Sequence, residues 1–212
     1  DAARALADAG YSGGLHALNL YAMVLRAYGG SDYDTASGRW QFHTPENEQA
    51  FAYLSRLVKD GLVGVELEGS SSGADPSISL FPGSLRPFTG IAAVPMPSGP
   101  GGRFTSVQAY GVMIAGDTQH PEAAITFARY LLTPKGQRAL GSAGVRPVIN
   151  DPAATASWRA RVGPETAGLI DRSLAGAFVA DVNYPMQAVE LMQAILKGEA
   201  PIGETLAQLD EF

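Results

Sequence analysis

The chain has 212 residues, of which 46% are hydrophobic and 17% charged, so its composition is that of a globular protein and not of a disordered one. Its net charge is −6 and its basic residues are scattered, which argues against a nucleic-acid partner or an anionic membrane surface. The lack of cysteine excludes thiol catalysis, Cys-ligated zinc, iron–sulfur clusters and disulfides.

The first nine residues are rich in alanine and predict a helix that ends at Gly10. They lack the charged, apolar and cleavage regions of a secretory signal peptide, so no signal segment is expected in this chain. We therefore expect the chain to begin inside a longer protein. Apolar residues at helical spacing between Leu15 and Tyr28 predict a second helix, which a pair of glycines ends.

A hairpin and a well-capped helix are predicted next. A tight turn at 37–38 leads into alternating residues at 40–43, which are typical of a short strand. Thr44 is suited to the N-cap of the following helix, and Pro45 to its first position. This helix is expected to stop at Gly61.

The second half of the chain adds further strands and helices. Two short apolar runs, at 78–81 and 90–94, precede a strand predicted at 104–115. Because most of the predicted elements are helices and the strands are short, the pattern indicates an α/β protein with helices packed on a mixed sheet. Proline marks the starts of the later helices, at His120-Pro121, Thr133-Pro134, Asp151-Pro152, Tyr184-Pro185 and Pro201-Ile202.

The sequence contains no convincing catalytic constellation. Residues 10–14 match G-x-S-x-G around Ser12, but a nucleophile elbow follows an apolar strand, and an Ala-rich helix is predicted here. His43 falls in the hairpin and His120 at a helix start, so neither is expected to be a triad partner. No metal-ligand motif occurs. We predict that the protein is not an enzyme, with no catalytic residue, metal site or cofactor.

Several aromatic residues stand beside Gly or Pro in turns or at segment ends. Periodic apolar runs contain Tyr21, Phe51 and Phe127 instead, which is typical of core residues. Loop aromatics suit a carbohydrate site, because the C–H face of a sugar stacks on a ring while polar side chains bind its hydroxyls. For each single residue, packing is the commoner role. These loop aromatics are Tyr11, Phe81, Phe88, Tyr110 and Tyr184.

The order and spacing of five stretches resemble the extracellular solute-binding proteins of ABC importers, in the carbohydrate-binding family of maltodextrin- and trehalose-type proteins. The match is closest where H-P-E-A-A is followed by Y-L-L-T-P-K-G-Q, at 120–137. The resemblance covers nearly the whole chain, but only the C-terminal part of the family's pattern. The five stretches are 25–30, 39–46 with 57–61, 93–97, 120–137, and 184–185 with 195–199.

The resemblance implies a periplasmic-binding-protein-like lobe, a mixed sheet flanked by helices, with the N-terminal lobe largely missing. It implies that 1–115 form the first part of the C-terminal lobe and 151–212 its closing helices. Residues 116–150 would form hinge-crossing helices that normally pack on the other lobe.

A function and a set of contacts are implied as well. The protein would be a monomeric solute-binding component of an ABC transporter, capturing a sugar or oligosaccharide for the permease subunits. It would work outside the cytoplasm, in the periplasm or tethered by lipid to the cell surface. Carried over by position, the ligand-binding residues are Tyr11, Phe81, Arg86, Gln108, Tyr110, Arg146 and Tyr184.

Two alternatives remain open at this point. Residues 69–73, Gly-Ser-Ser-Ser-Gly, are typical of a flexible loop or of a linker that bridges excised segments. They favour an isolated or engineered lobe without ligand binding. A remote alternative is a serine hydrolase that acts through Ser12.

Overall fold

The computed structural model of the chain describes residues 4, 8, 17–65, 95–107, 111–179 and 184–212. Helices in this part of the chain are too short or too polar to cross a membrane. The chain divides into two compact units. The first comprises Asp1–Gly83, Met96–Val107 and Gly176–Phe212, and the second comprises Ser84–Pro95 and Gln108–Ala175.

Helices account for most of the secondary structure. Arg4 and Asp8 are helical, in the stretch where the first helix is predicted. A short 3₁₀ helix, Leu174–Gly176, precedes the last strand. In chain order the other described elements are α1 (Ala17–Ala27), β1 (Tyr33–Asp34), β2 (Arg39–Trp40), α2 (Pro45–Lys59), β3 (Thr105–Val107), α3 (Pro121–Leu131), α4 (Pro134–Ser142), α5 (Pro152–Val162), α6 (Pro164–Ser173), β4 (Ala177–Val179), α7 (Met186–Lys197) and α8 (Ile202–Leu209).

Local capping sets several helix starts where they are predicted. The side chains of Thr44, Thr133 and Asp151 accept the backbone N–H three residues further on, at 3.2, 3.1 and 2.9 Å. Proline follows each cap at the first helical position, where its missing N–H leaves no hydrogen bond unmade. The predicted starts of α2, α3, α4, α5, α7 and α8 are confirmed.

The helices α1, α2, α7 and α8 of the first unit share one apolar core. Leu25, Phe51 and Ile195 are completely buried in it. Burying one such side chain stabilises the fold by about 1.5–3 kcal/mol, so this core is the main source of the unit's stability. The prediction that Tyr21 and Phe51 are core residues is confirmed.

The strands are short and form two pairs. In the hairpin, Tyr33 of β1 pairs antiparallel with Trp40 of β2. The other pair is parallel, with Ser106 of β3 opposite Phe178 of β4. The strand predicted at 40–43 covers only Arg39–Trp40.

The strand predicted at 104–115 covers only Thr105–Val107 among the described residues, so its second half is a wrong prediction. Residues 111–115 have an alternating apolar pattern, but a strand also requires a neighbour to pair with. The side chain of Met113 is 95% exposed. The sequence reasoning missed β4 and α6 altogether.

In the second unit, α5 packs against α4 and supplies the buried side chains of Ala154 and Trp158. Gln137 of α4 is also buried. Its side-chain amide donates to the carbonyl of Leu131 at 2.7 Å and accepts the N–H of Val148 at 2.8 Å. These two bonds tie the end of α3 and the chain after α4 to the body of the unit.

Phe127 of α3 is not the core residue that its spacing predicts. Its side chain is 58% exposed, and no residue of α3 is fully buried. Periodicity identifies an apolar face but not what covers it, so the pattern alone could not reveal that this face is open.

Candidate ligand-binding site

The predicted site residues are spread over both units. Tyr184 belongs to the first unit and Arg146 to the second. The other five predicted ligand residues lie outside the described residues, as do Ser12 and the linker-like stretch 69–73. These five are Tyr11, Phe81, Arg86, Gln108 and Tyr110.

Tyr184 lies two residues before α7, and its ring belongs to an aromatic cluster. The ring centroid is 4.9 Å from that of Trp40, 5.6 Å from that of Tyr21 and 5.9 Å from that of Phe42. Tilted and edge-to-face pairs at these separations are attractive beyond their buried area. The cluster therefore joins the hairpin and α1 to the start of α7.

A buried carboxylate lies at the polar edge of this cluster. Asp32 accepts hydrogen bonds from the hydroxyls of Tyr184 and Tyr21, the latter at 3.4 Å. Only 8% of Asp32 is exposed, so without these donors its carboxylate would bear a large desolvation penalty. The two phenols and the carboxylate satisfy one another.

The environment keeps both phenols protonated. Burial, followed by the negative charge of Asp32, raises the pKa of Tyr21 well above its ordinary value of 10.0. Burial also raises the pKa of Tyr184 above that value, helped by Tyr21 and Asp32. Both hydroxyls therefore remain hydrogen-bond donors to Asp32 throughout the physiological pH range.

This arrangement limits how Tyr184 can contact a ligand. Its hydroxyl is committed to Asp32, and the residue as a whole is half-buried. The aromatic surface continues through half-buried Trp40 to Tyr33, which is 39% exposed and has its ring centroid 5.3 Å from that of Trp40. What this cluster can offer chemically is stacking.

Two polar side chains hold the segment between β2 and α2 in place. The buried amide of Asn47 donates to the carbonyls of Ser31, Gln41 and Phe42 at 2.7, 2.9 and 3.0 Å. The carboxylate of Asp210, just after α8, accepts the backbone N–H groups of Phe42 and His43. Hydrogen bonds from Asn47 and to Asp210 thus hold the backbone at 41–43, next to the aromatic cluster.

Sequence reasoning missed Asp32, Asn47 and Asp210. Asn47 lies in the first turn of a predicted helix, where a polar residue is ordinary. Asp210 lies at a helix end, where a carboxylate is usually exposed to solvent. A pair of glycines followed by Ser-Asp before a strand was the only local signal for Asp32, and it predicts a turn as readily as a buried anion.

Arg146 lies in the loop between α4 and α5. Its guanidinium is 5.6 Å from the ring centroid of Trp158, and Nη2 is 3.3 Å from Oδ1 of Asp171. Arg159 also pairs with this carboxylate, so two guanidiniums share one negative charge. The Arg146 side chain is 49% exposed, which leaves donors free for hydroxyl or carbonyl oxygens.

A shallow depression of about 330 Å³ in the first unit is lined by Pro45, Glu48, Gln49, Ala52 and Ile202 and includes none of the predicted ligand residues. Within the described ranges, His, Asp and Glu side chains form no group of three that could hold a metal ion.

The fold is similar to those of solved binding proteins. An ABC substrate-binding protein from Listeria monocytogenes in complex with cycloalternan is 16% identical, with a TM-score of 0.70; the match covers 94% of this chain and 57% of that one. Maltose-bound MalE3 of T. maritima is 17% identical, with a TM-score of 0.66 and coverages of 99% and 62%. The cyclic α-maltosyl-1,6-maltose binding protein from Arthrobacter globiformis is 16% identical, with a TM-score of 0.62 and coverages of 97% and 59%.

At these identities the similarity establishes the fold alone, and it confirms the predicted class, part of a periplasmic-binding-protein-like structure. The chain spans between 57% and 62% of the length of these three structures. A search among curated proteins found no match. A sequence model of the family described as bacterial extracellular solute-binding protein matches residues 1–138. The chain therefore belongs to the family of bacterial extracellular solute-binding proteins.

Proposed function

We propose that the protein captures a sugar or oligosaccharide outside the cytoplasm and delivers it to the permease subunits of an ABC importer. Family membership supports the solute-binding role. The similar structures support the choice of ligand, since those named above are described with cycloalternan, with maltose or as a binder of a cyclic maltosyl sugar. The protein works as a binder, without a catalytic step or a cofactor.

The observation that carries the choice of a sugar is the aromatic cluster around Tyr184. Rings from the hairpin, α1 and the start of α7 are held rigidly together, with Trp40 and Tyr33 partly exposed. Aromatic faces bind the C–H face of a sugar with little loss of conformational entropy, because the rings are already fixed.

The seven predicted ligand residues remain our assignment for the site. Tyr184 contributes its ring, because its hydroxyl bonds to Asp32. Arg146 contributes guanidinium donors from the second unit. The three-part division at 1–115, 116–150 and 151–212 also remains our proposal for how the chain contributes to two lobes.

Calorimetric titration tests the ligand class. Maltose and cycloalternan are the first probes, and a short peptide and a polyamine are the controls. We expect saturable binding of a sugar and a rise in Tm. Heat with the peptide or the polyamine and with neither sugar would overturn the sugar assignment. A lack of heat with all probes would favour the scaffold alternative.

Substitution of Tyr184 tests the site. We expect Tyr184→Ala to weaken sugar binding by about 3- to 10-fold, the range of one aromatic contact. Tyr184→Phe keeps the ring and loses only the bond to Asp32, so binding should stay within about 2-fold. Equal weakening by both variants would mean that the ring does not stack on the ligand. Circular dichroism of each variant checks that the fold is retained.

The hydrolase alternative has its own test. Esterase activity that a purified sample shows and that Ser12→Ala abolishes would support it. Activity that persists in Ser12→Ala would end it.

A further inference from the structure

The second unit has a positive net charge, although the chain as a whole is acidic. Its two segments, 84–95 and 108–175, contain eight basic and five acidic side chains, a net charge of +3, whereas the whole chain carries −6. Three of the five acids, Glu122, Asp151 and Glu165, lie at helix starts, where the positive end of the helix dipole stabilises them. The positive charge of this unit is therefore only partly balanced by its own acids.

The carboxylate of Asp171 on α6 is shared by two arginines. Arg146 binds Oδ1 with Nη2 at 3.3 Å, and Arg159 binds Oδ2. The ion pairs found among the described residues of the second unit are these two, and both use the same carboxylate. We call Arg146, Asp171 and Arg159 the charged triad. One negative charge faces two positive charges, so the charged triad keeps a net charge of +1.

The guanidinium of Arg146 is held in position. It lies 5.6 Å from the ring centroid of Trp158, which is itself buried where α5 packs against α4. The contact with this ring and the ion pair with Asp171 fix the group from two directions. An ordered guanidinium loses less conformational entropy when it binds a ligand. The Arg146 side chain is half exposed, so N–H groups that Asp171 does not use are open to solvent.

An ordered guanidinium with unbalanced charge prefers an anion to a neutral oxygen. Hydrogen bonds from arginine to a carboxylate or a phosphate are shorter than those between neutral groups and about twice as strong. The hydroxyl and ring oxygens of a neutral sugar would leave the charged triad at +1. A ligand with one anionic group would balance it.

We propose that the ligand is an acidic sugar, whose carboxylate or phosphate group binds Arg146. Arg159 is then a specificity-determining residue, because it shares the Asp171 charge that would otherwise neutralise Arg146. This inference rests on the proposed function, since it names the class of sugar that Arg146 selects. It does not depend on the aromatic cluster around Tyr184, because a ring stacks equally well on a neutral and on an acidic sugar.

Calorimetric titration with matched sugars tests the preference. Glucose, glucuronate and glucose 6-phosphate differ only at C6, where they carry a hydroxyl, a carboxylate and a phosphate ester. Maltose and maltobionate, in which the terminal C1 is oxidised to a carboxylate, extend the comparison to a disaccharide. At low salt we expect an anionic sugar to bind at least about tenfold more tightly than its neutral counterpart. The preference should shrink in about 1 M salt, where charges are screened within about 3 Å.

The outcomes separate this inference from the proposed function. Tighter binding of the carboxylate or of the phosphate would show which anion the ligand carries. Binding of glucose or maltose as tight as that of its anionic counterparts would overturn the inference and leave the proposed function standing. Failure of all five sugars to bind would overturn the inference too, and the titration with cycloalternan then decides the proposed function separately.

Substitutions test which residues select the anion. Arg146→Gln should reduce the preference to less than about twofold, and Arg159→Gln to an intermediate value, because Asp171 then neutralises Arg146. Arg161→Gln, an exposed position of α5 outside the charged triad, removes the same charge and is the matched control. Its preference should stay within about twofold of the original, since a distant surface charge is screened.

The same variants can contradict the assignment. Equal losses of preference in Arg146→Gln and Arg161→Gln would mean that the net charge of the unit selects the ligand, which overturns the role of Arg146. An unchanged preference in Arg159→Gln would overturn the role of Arg159. Circular dichroism of each variant checks that the fold is retained.

Discussion

The backbone of Gly30 lies directly against the side-chain amide of Asn47: a β-carbon at residue 30 would lie 2.0 Å from Oδ1 of Asn47. This contact brings the end of α1 onto the first turn of α2. It also explains why Oδ1 of Asn47, which is buried, has no hydrogen-bond donor. The space beside it is filled by glycine and not by a polar group.

Gly30→Ala is therefore expected to destabilise the first unit. The methyl group must displace a buried amide that three carbonyls hold in place, and overpacking of this kind costs about 1–3 kcal/mol. Urea unfolding followed by fluorescence measures the change, since Trp40 lies in the first unit. Gly116→Ala is the control, because a β-carbon there meets no atom within 4 Å. Equal stability of the two variants would contradict the close contact.

Asn47→Ala is expected to be more damaging than most substitutions on α2. The carbonyls of Ser31, Gln41 and Phe42 lose their side-chain donor, and only that of Phe42 keeps another partner, the N–H of Thr44 at 3.0 Å. A partly buried carbonyl left without a donor costs up to about 1–3 kcal/mol. Gln49→Ala, at an exposed position of the same helix, should change stability by less than about 0.5 kcal/mol. Chemical denaturation of both variants provides the comparison. A loss in Asn47→Ala no larger than that in Gln49→Ala would contradict the role of the three hydrogen bonds from Asn47.

The stability of the first unit should fall in alkaline solution. The raised pKa values of Tyr21 and Tyr184 mean that the folded state retains protons that the unfolded chain releases above pH 10.0. The stabilisation linked to these two protons is fully present below the ordinary tyrosine pKa. It is lost as the pH rises above that value, by about 1.4 kcal/mol per pH unit for each tyrosine.

Tyr184→Phe removes one of these protons. The dependence of the unfolding free energy on pH between 10 and 11 should become shallower by about one proton. Tyr130→Phe, an exposed tyrosine of the second unit, is the control. An unchanged slope in Tyr184→Phe would mean that Tyr184 is not held protonated by its surroundings.

The N-caps of α2 and α4 allow the two units to be perturbed one at a time. Thr44→Ala removes the acceptor for the Asn47 N–H in the first unit, and Thr133→Ala removes the acceptor for the Gly136 N–H in the second. Each loss is expected to cost about 1 kcal/mol. Hydrogen exchange should show the added exposure in the unit that carries the substitution. Equal effects on both units from either variant would mean that they unfold as one body.

Local chemistry explains what could be predicted from the sequence. Three residue pairs each combine an N-cap side chain with a proline at the first helical position, so they identify a helix start without reference to the rest of the fold. These pairs are Thr44-Pro45, Thr133-Pro134 and Asp151-Pro152. The family resemblance rests on the same short-range patterns, and the family match confirms it.

Elements that depend on distant partners could not be predicted in this way. The strand Ala177–Val179 exists because it pairs with Thr105–Val107, some 70 residues earlier in the chain. Asp32 can be buried because the hydroxyls of Tyr21 and Tyr184 donate hydrogen bonds to it. The residues next to Asp32 in the sequence do not indicate these partners. The prediction that Phe127 is a core residue was wrong although its helix was predicted correctly. Helical spacing identifies an apolar face but does not show which residues cover it.

The order of segments in the first unit has a consequence for biosynthesis. Its core joins Leu25 and Phe51 to Leu206 and Leu209, which lie about 150 residues or more later in the sequence. Helices α7 and α8 must therefore leave the ribosome before this core can close, and until then the apolar faces of α1 and α2 are uncovered. Contacts between such distant residues slow folding, and uncovered faces invite aggregation in the meantime. We therefore expect the first unit to fold only after α7 and α8 have been synthesised.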